Sequence, residues 1–99
     1  MSYRLIFTET FDEELREIEL YLMENSEQAV RLVNEKIKKH LRLLKENPYM
    51  YPKYPERPGF RMLVVYKYLI FYKVFDDEQT VEIRHIIHGM REMARLLAD

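Results

Sequence analysis

Arg61, Arg84, His88 and Arg91 are the residues of this 99-residue chain whose types could do chemistry together. Two or three guanidinium groups can bind a phosphate or stabilise a phosphorane, and an imidazole beside them can carry the proton. Whether they meet depends on strand alternation. On a strand beginning at Phe60, Arg61 shares a face with Leu63 and Val65, while Phe60, Met62 and Val64 share the other. On a strand over 80–88, Val81, Ile83, His85 and Ile87 form the better core face, which leaves Glu82, Arg84, Ile86 and His88 pointing away from it. If Arg61 projects to that outer side, it joins Arg84 and His88 there, with Arg91 just past the strand end. Plainer roles exist for the same residues. Glu82 and Arg84 on an exposed sheet face suit cross-strand ion pairs, and His88 before Gly89 suits a hydrogen bond to the turn. His85 reads as a satisfied core histidine and His40 as a solvated helix residue.

A second group lies among the prolines, where Tyr49, Tyr51 and Tyr54 stand beside Lys53 and Arg57. Exposed tyrosines with basic neighbours suit a protein interface or base stacking. Alternatively, the rings pack down to anchor a loop that lacks regular hydrogen bonds. Metal chemistry has little support. There are no cysteines, and the three histidines lack the spacing of a helical zinc site. No metal and no cofactor is expected.

The elements that must position these residues are legible as periods. SYRLIFT (2–8) alternates as a strand. Thr10-x-x-Glu13 has the pattern of a capping box, and Phe11, Leu15, Ile18 and Leu22 follow with helical spacing to about Asn25. Asn25 or Ser26 caps a second helix with the stripe Val30, Val33, Ile37, Leu41 and Leu44, running to about Glu46. The segment 47–59 holds all four prolines and reads as a stiff extended loop. GFRMLVV and YLIFYKVF then read as strands joined by a tight turn at Tyr66 and Lys67. After a polar turn at 76–79, TVEIRHIIH is a further strand, and GMREMARLLAD closes as a short helix or turn-like tail. The order β-α-α-β-β-β-α predicts an α+β fold over residues 1–99, one domain, with a helical hairpin packed on one face of a four-stranded, mainly antiparallel sheet.

The net charge of −1 conceals an asymmetry. Residues 8–24 carry seven acids against Arg16 alone, whereas 31–45 carry six bases against Glu35. Two helices of opposite charge lying side by side account for this better than a nucleic-acid grip, which calls for a clear basic excess. No apolar run is long enough to span a bilayer and no basic-then-apolar leader is present, so a cytoplasmic protein with no membrane partner is expected.

The strand, the capped helical hairpin, the proline-containing loop, and then G-F-R-x-L, Y-L-I-F-Y-K-V and V-E-I-R-H-I-I-H-G-x-R-E together resemble the RelE/ParE superfamily, the toxins of bacterial type II toxin–antitoxin modules. The resemblance covers essentially the whole chain. It implies one of two activities. RelE-like members enter the ribosomal A site and cleave mRNA with arginines, lysines and a tyrosine or histidine. ParE-like members inhibit DNA gyrase. The RelE-like arginine that follows the aromatic of the Y-R-L-V-Y strand is replaced by Leu69, after Tyr68. The arginine past the last strand is matched by Arg91, and the tyrosine of the closing helix falls near Leu96 or Leu97. The RelE-like lysines have no clear equivalents around 60–62, although Arg61 lies between.

Leucine can neither stabilise a developing phosphoryl charge nor move a proton. The resemblance is therefore closer to the ParE branch, associated with plasmid stabilization, and implies a gyrase-binding toxin neutralised by a cognate antitoxin. Phe60, Met62, Tyr68, Met90, Met93, Leu96 and Leu97 are the candidate apolar surface for partners. The alternatives are a ribosome-dependent mRNA endonuclease (mRNA interferase), with Arg61, Arg84 and Arg91 on phosphate and His88 moving the proton, and a non-toxic relative that keeps only partner binding.

Overall fold

The computed structural model describes residues 2–91. Its elements are β1 (Arg4–Phe7), α1 (Glu9–Met23), α2 (Glu27–Glu46), β2 (Lys53–Tyr54), β3 (Arg57–Val65), β4 (Tyr68–Phe75) and β5 (Thr80–His88). Residues 89–91 are helical, and the rest of the expected closing helix lies outside the described residues. The five strands lie in the order β1-β5-β4-β3-β2. β1 runs parallel to β5 and the other neighbours are antiparallel. The sheet thus has one strand more than the four expected, and the additional strand is the two-residue β2 inside the proline segment. Pro52 and Pro55 flank it, as befits an edge, where a missing N–H breaks no ladder. The Met62 N–H reaches the Pro52 carbonyl at 3.1 Å.

Local chemistry sets the helix ends. Ser26 caps α2, its hydroxyl accepting from the Gln28 and Ala29 amides. The start of α1 differs from the sequence expectation. Thr8 is the cap, accepting from the Phe11 amide at 3.1 Å, and Thr10 already lies in the first turn. The reason is tertiary. The Thr8 N–H bonds the Ile83 carbonyl and its hydroxyl donates to the Arg84 carbonyl, so the chain leaves the sheet at this residue.

The helical hairpin covers one face of the sheet. Phe11, Ile18, Ile37, Leu41 and Leu44 pack against Leu63, Val65, Tyr68, Ile70, Tyr72, Val81, Ile83 and Ile86. At the chain reversal after β3, Tyr66 takes φ 54°. Gly89 donates to the Lys67 carbonyl at 2.8 Å, and a Cβ there would come within 3.2 Å of that oxygen. Among the described residues no helix is long and apolar enough to cross a membrane.

One irregularity decides which residues face out. Phe71 pairs with His85, but the next residue of β4, Tyr72, pairs with Ile83. Arg84 is therefore the extra residue of a β-bulge, and the alternation of β5 changes phase there. Val81 and Ile83 face the helices as expected, but beyond the bulge it is Ile86 that does so. His85 and Ile87, expected in the core, turn to the opposite face and are half-buried.

Candidate functional site

The sheet separates the four polar residues that the alternation rule would gather. Arg61 pairs with Tyr72 and lies on the helix side, at the end of the core. Its guanidinium donates to the Tyr51 carbonyl at 2.7 Å and stacks 4.8 Å from the centre of the Tyr49 ring. Arg84 lies on the open face, ion-paired with Glu82, its guanidinium 6.0 Å from the centre of the Phe60 ring. His88 is at the far end of β5, edge-on to Tyr68, and its Nδ1 accepts from the Met90 amide at 3.2 Å. Arg91 follows it, exposed; burial pushes the Tyr68 phenol up, and Arg91 is near enough to offset that only in part. The turn-bonding histidine is thus observed, whereas Glu82 and Arg84 pair with each other along β5 and not across strands. The expected cluster of Arg61, Arg84 and His88 on one face is not observed, because Arg61 stands on the opposite side of the sheet from Arg84.

The prolines and tyrosines form a clasp. Tyr49 and Tyr3 both donate to Asp76 Oδ1, the latter at 2.8 Å. These bonds hold the Asp76 carboxyl below its ordinary range and, together with burial, push the Tyr49 phenol up to about 12. Tyr51 meets His40 Nδ1 at 2.9 Å, so His40 is a half-buried partner of the loop and not a solvated residue. Tyr72 donates to the buried Pro48 carbonyl at 2.8 Å, and burial pushes its phenol to about 12. Tyr54 is buried and Tyr51 half-buried, as one of the two sequence readings expected, while Tyr49 stays 45% exposed with its hydroxyl on Asp76.

The concavity with mixed chemistry lies elsewhere. On the open face a recess of about 150 Å³ is lined by Glu14, Tyr54, Arg57, Phe60, Phe71, His85 and Ile87. Tyr54 meets Phe71 with centroids 4.9 Å apart at 73°, and Phe60 meets Phe71 at 6.3 Å and 84°. Glu14 reaches around the edge of β5 beyond the end of β1. One of its carboxylate oxygens lies 3.2 Å from both His85 Nδ1 and the Ile86 amide. Sequence reasoning missed this recess, since its polar members come from α1, β3 and β5, and only the bulge turns His85 towards it. Among the described residues no three His, Asp or Glu side chains are grouped so as to hold a metal ion.

Of the partner-surface candidates, Phe60 and Met62 are half-buried on the open face and Met90 is 68% exposed. Tyr68 is only 7% exposed and belongs to the core. Met93, Leu96 and Leu97 lie outside the described residues. Val64, 52% exposed beside Met62, is apolar surface of the same face.

The family model of the ParE toxin of the type II toxin–antitoxin system parDE matches residues 5–93. The chain belongs to this family. The solved structures it resembles include the chromosomal ParDE system of P. aeruginosa, with a TM-score of 0.72 at 18% identity over 88% of this chain and 96% of that one. The RelBE2 toxin–antitoxin complex of Mycobacterium tuberculosis gives 0.61 at 21% identity, covering 89% and 92%. A mutant E. coli RelE toxin in the free state gives 0.67 at 24% identity, covering 90% and 85%. At these identities the likenesses show the fold, an α+β fold of the RelE/ParE type. No curated protein sequence matches the chain. This ParE-family toxin therefore has the fold that the resemblance implied, with one small strand added at the β2 edge.

Proposed function

We propose that this type II toxin acts in the manner of the ParE branch, by binding DNA gyrase as a protein inhibitor, and that a cognate antitoxin neutralises it. The observation that carries the reading is the dispersal of the polar residues a ribonuclease would need. Arg61 is held by the tyrosine clasp on the helix side, Arg84 is neutralised by Glu82 on the open face, and His88 is occupied by its own turn. Phosphoryl transfer needs charges that converge on one phosphate. Leu69 stands where the RelE-like pattern has an arginine, and it pairs with Ile87 and Val64 among apolar neighbours. Family membership supports the same branch.

Purified gyrase should lose supercoiling activity as this protein is added. Undiminished supercoiling at large molar excess would count against the reading. In a translation reaction read by primer extension, no new mRNA ends should appear. Ends that appear with the wild type and vanish with His88→Ala and Arg91→Ala would restore the nuclease.

Partner neutralisation has its own support. Phe60, Met62, Val64 and Met90 form apolar surface on and beside the open face, suited to the apolar side of a helix or an added strand. The neighbouring reading frame should encode a small acidic partner whose co-expression rescues growth. Rescue that is indifferent to Met62→Asp would move the contact elsewhere.

A further inference from the structure

We infer that the open-face recess between Tyr54, Phe60, Phe71 and His85 is a binding site for a single six-membered aromatic ring bearing an oxyanion. Size comes first. A recess of about 150 Å³ offers the volume that one benzene-sized ring needs. The walls come next. Tyr54 and Phe60 each stand nearly perpendicular to Phe71, so the lining presents ring faces and edges at the distances from which a further ring is bound edge-to-face.

Charge then chooses the substituent. Arg57 lines the recess and is exposed, so its planar fork remains accessible for a bidentate oxyanion. Lys73 Nζ stands 4.7 Å from the centre of the Phe60 ring, adding positive potential behind that wall. Among the described residues neither cation is in an ion pair. The two carboxylates nearby are committed. Glu82 is held by Arg84, and Glu14 by His85 and the Ile86 amide. With Nδ1 turned to Glu14, the His85 ring keeps Nε2 for a ligand. The oxyanion could belong to a free aromatic acid or to the terminal carboxylate of a polypeptide ending in an aromatic residue. This site is independent of the toxin's target.

The test is a titration of isotopically labelled protein, following the backbone amides of Phe60, Phe71, His85 and Ile87. Benzoate and phenyl phosphate should shift these amides saturably. Benzyl alcohol, which keeps the ring, and acetate, which keeps the anion, should each bind at least roughly tenfold more weakly, about 1.4 kcal/mol. Arg57→Ala should weaken benzoate by about the same factor, and Ile87→Trp, which fills the recess, should abolish the shifts. Both variants should leave the amide spectrum outside the recess intact. N-Acetylphenylalanine binding above benzoate would assign the anion to a chain terminus, and the reverse order to a free acid. The proposal is overturned if benzyl alcohol matches benzoate, if the shifts fall elsewhere, or if Arg57→Ala binds benzoate unchanged.

Discussion

On the helix side of the sheet, Leu63, Val65, Ile70, Tyr72, Val81, Ile83 and Ile86 are each at most 1% exposed. On the other side the same three strands carry Phe60, Met62, Lys73, His85 and Ile87 only half-covered, around a recess. Both faces are rich in apolar residues, so composition does not separate them. The difference lies in what covers each. The hairpin supplies five buried side chains to one face, and nothing among the described residues closes over the other. One face therefore stores stability, with the Tyr72 phenol and the Arg61 guanidinium tied to backbone carbonyls. The other holds its charges in side-chain pairs and aromatic contacts, which can exchange for contacts with a ligand or partner.

The largest test of that contrast is a pair of truncations on the neighbouring strands β4 and β5, one on each face. Ile70→Ala should cost about 3 kcal/mol, because a fully enclosed side chain leaves a cavity. Ile87→Ala should cost about 1 kcal/mol or less, since water can enter its place. Urea unfolding of both decides the matter, and equal losses would erase the distinction between the faces. Next in size, Tyr72→Phe should cost about 1–2 kcal/mol by stranding the buried Pro48 carbonyl.

Glu14→Ala should cost about 1 kcal/mol and speed hydrogen exchange at the Ile86 amide, which loses its acceptor at the strand edge. Glu14→Gln, which keeps a carbonyl oxygen there, should restore most of the protection. Protection at Ile86 unchanged by Glu14→Ala would remove the carboxylate from the edge.

The smallest effect is the pH response of the clasp. The Asp76 carboxyl is lowered from 3.8 in the fold, so the unfolded chain takes up the proton first. Its contribution is complete above 3.8 and is lost as pH falls through the folded value. The Tyr49 phenol is raised from 10.0 to about 12, so its contribution is complete below 10.0 and is lost as pH rises towards about 12. Tyr49→Phe should flatten the acid limb of a melting-temperature profile. The alkaline limb should persist in part, because Tyr72 is raised over the same range. An acid limb unaltered by Tyr49→Phe would detach Asp76 from the clasp.

Much of the architecture could be read in advance because it rests on local periods. The stripe of Val33, Ile37, Leu41 and Leu44 makes α2, and TVEIRHIIH makes β5 to the residue. The errors lie where a distant pairing outweighed a local signal. Thr10-x-x-Glu13 is a sound cap pattern, yet Thr8 caps because β5 ends the pairing of β1 there. β2 was hidden among prolines, since two residues carry no period and only β3 makes them a strand. No property of Arg84 itself announces a bulge. It arises because β4 and β5 must keep Tyr72, Ile83 and Ile86 on one face across three residues of β5.

By itself the sequence determined the helical hairpin, the four long strands, the charge division between the helices and the family pattern, since each is carried by residues near one another in the chain. The tertiary structure alone decided that Arg61 and Arg84 stand on opposite faces, that Asp76 gathers Tyr3 and Tyr49, and that Glu14 meets His85. Side-chain direction in a sheet depends on a count that one inserted residue reverses, and pairs more than 70 residues apart leave no local trace.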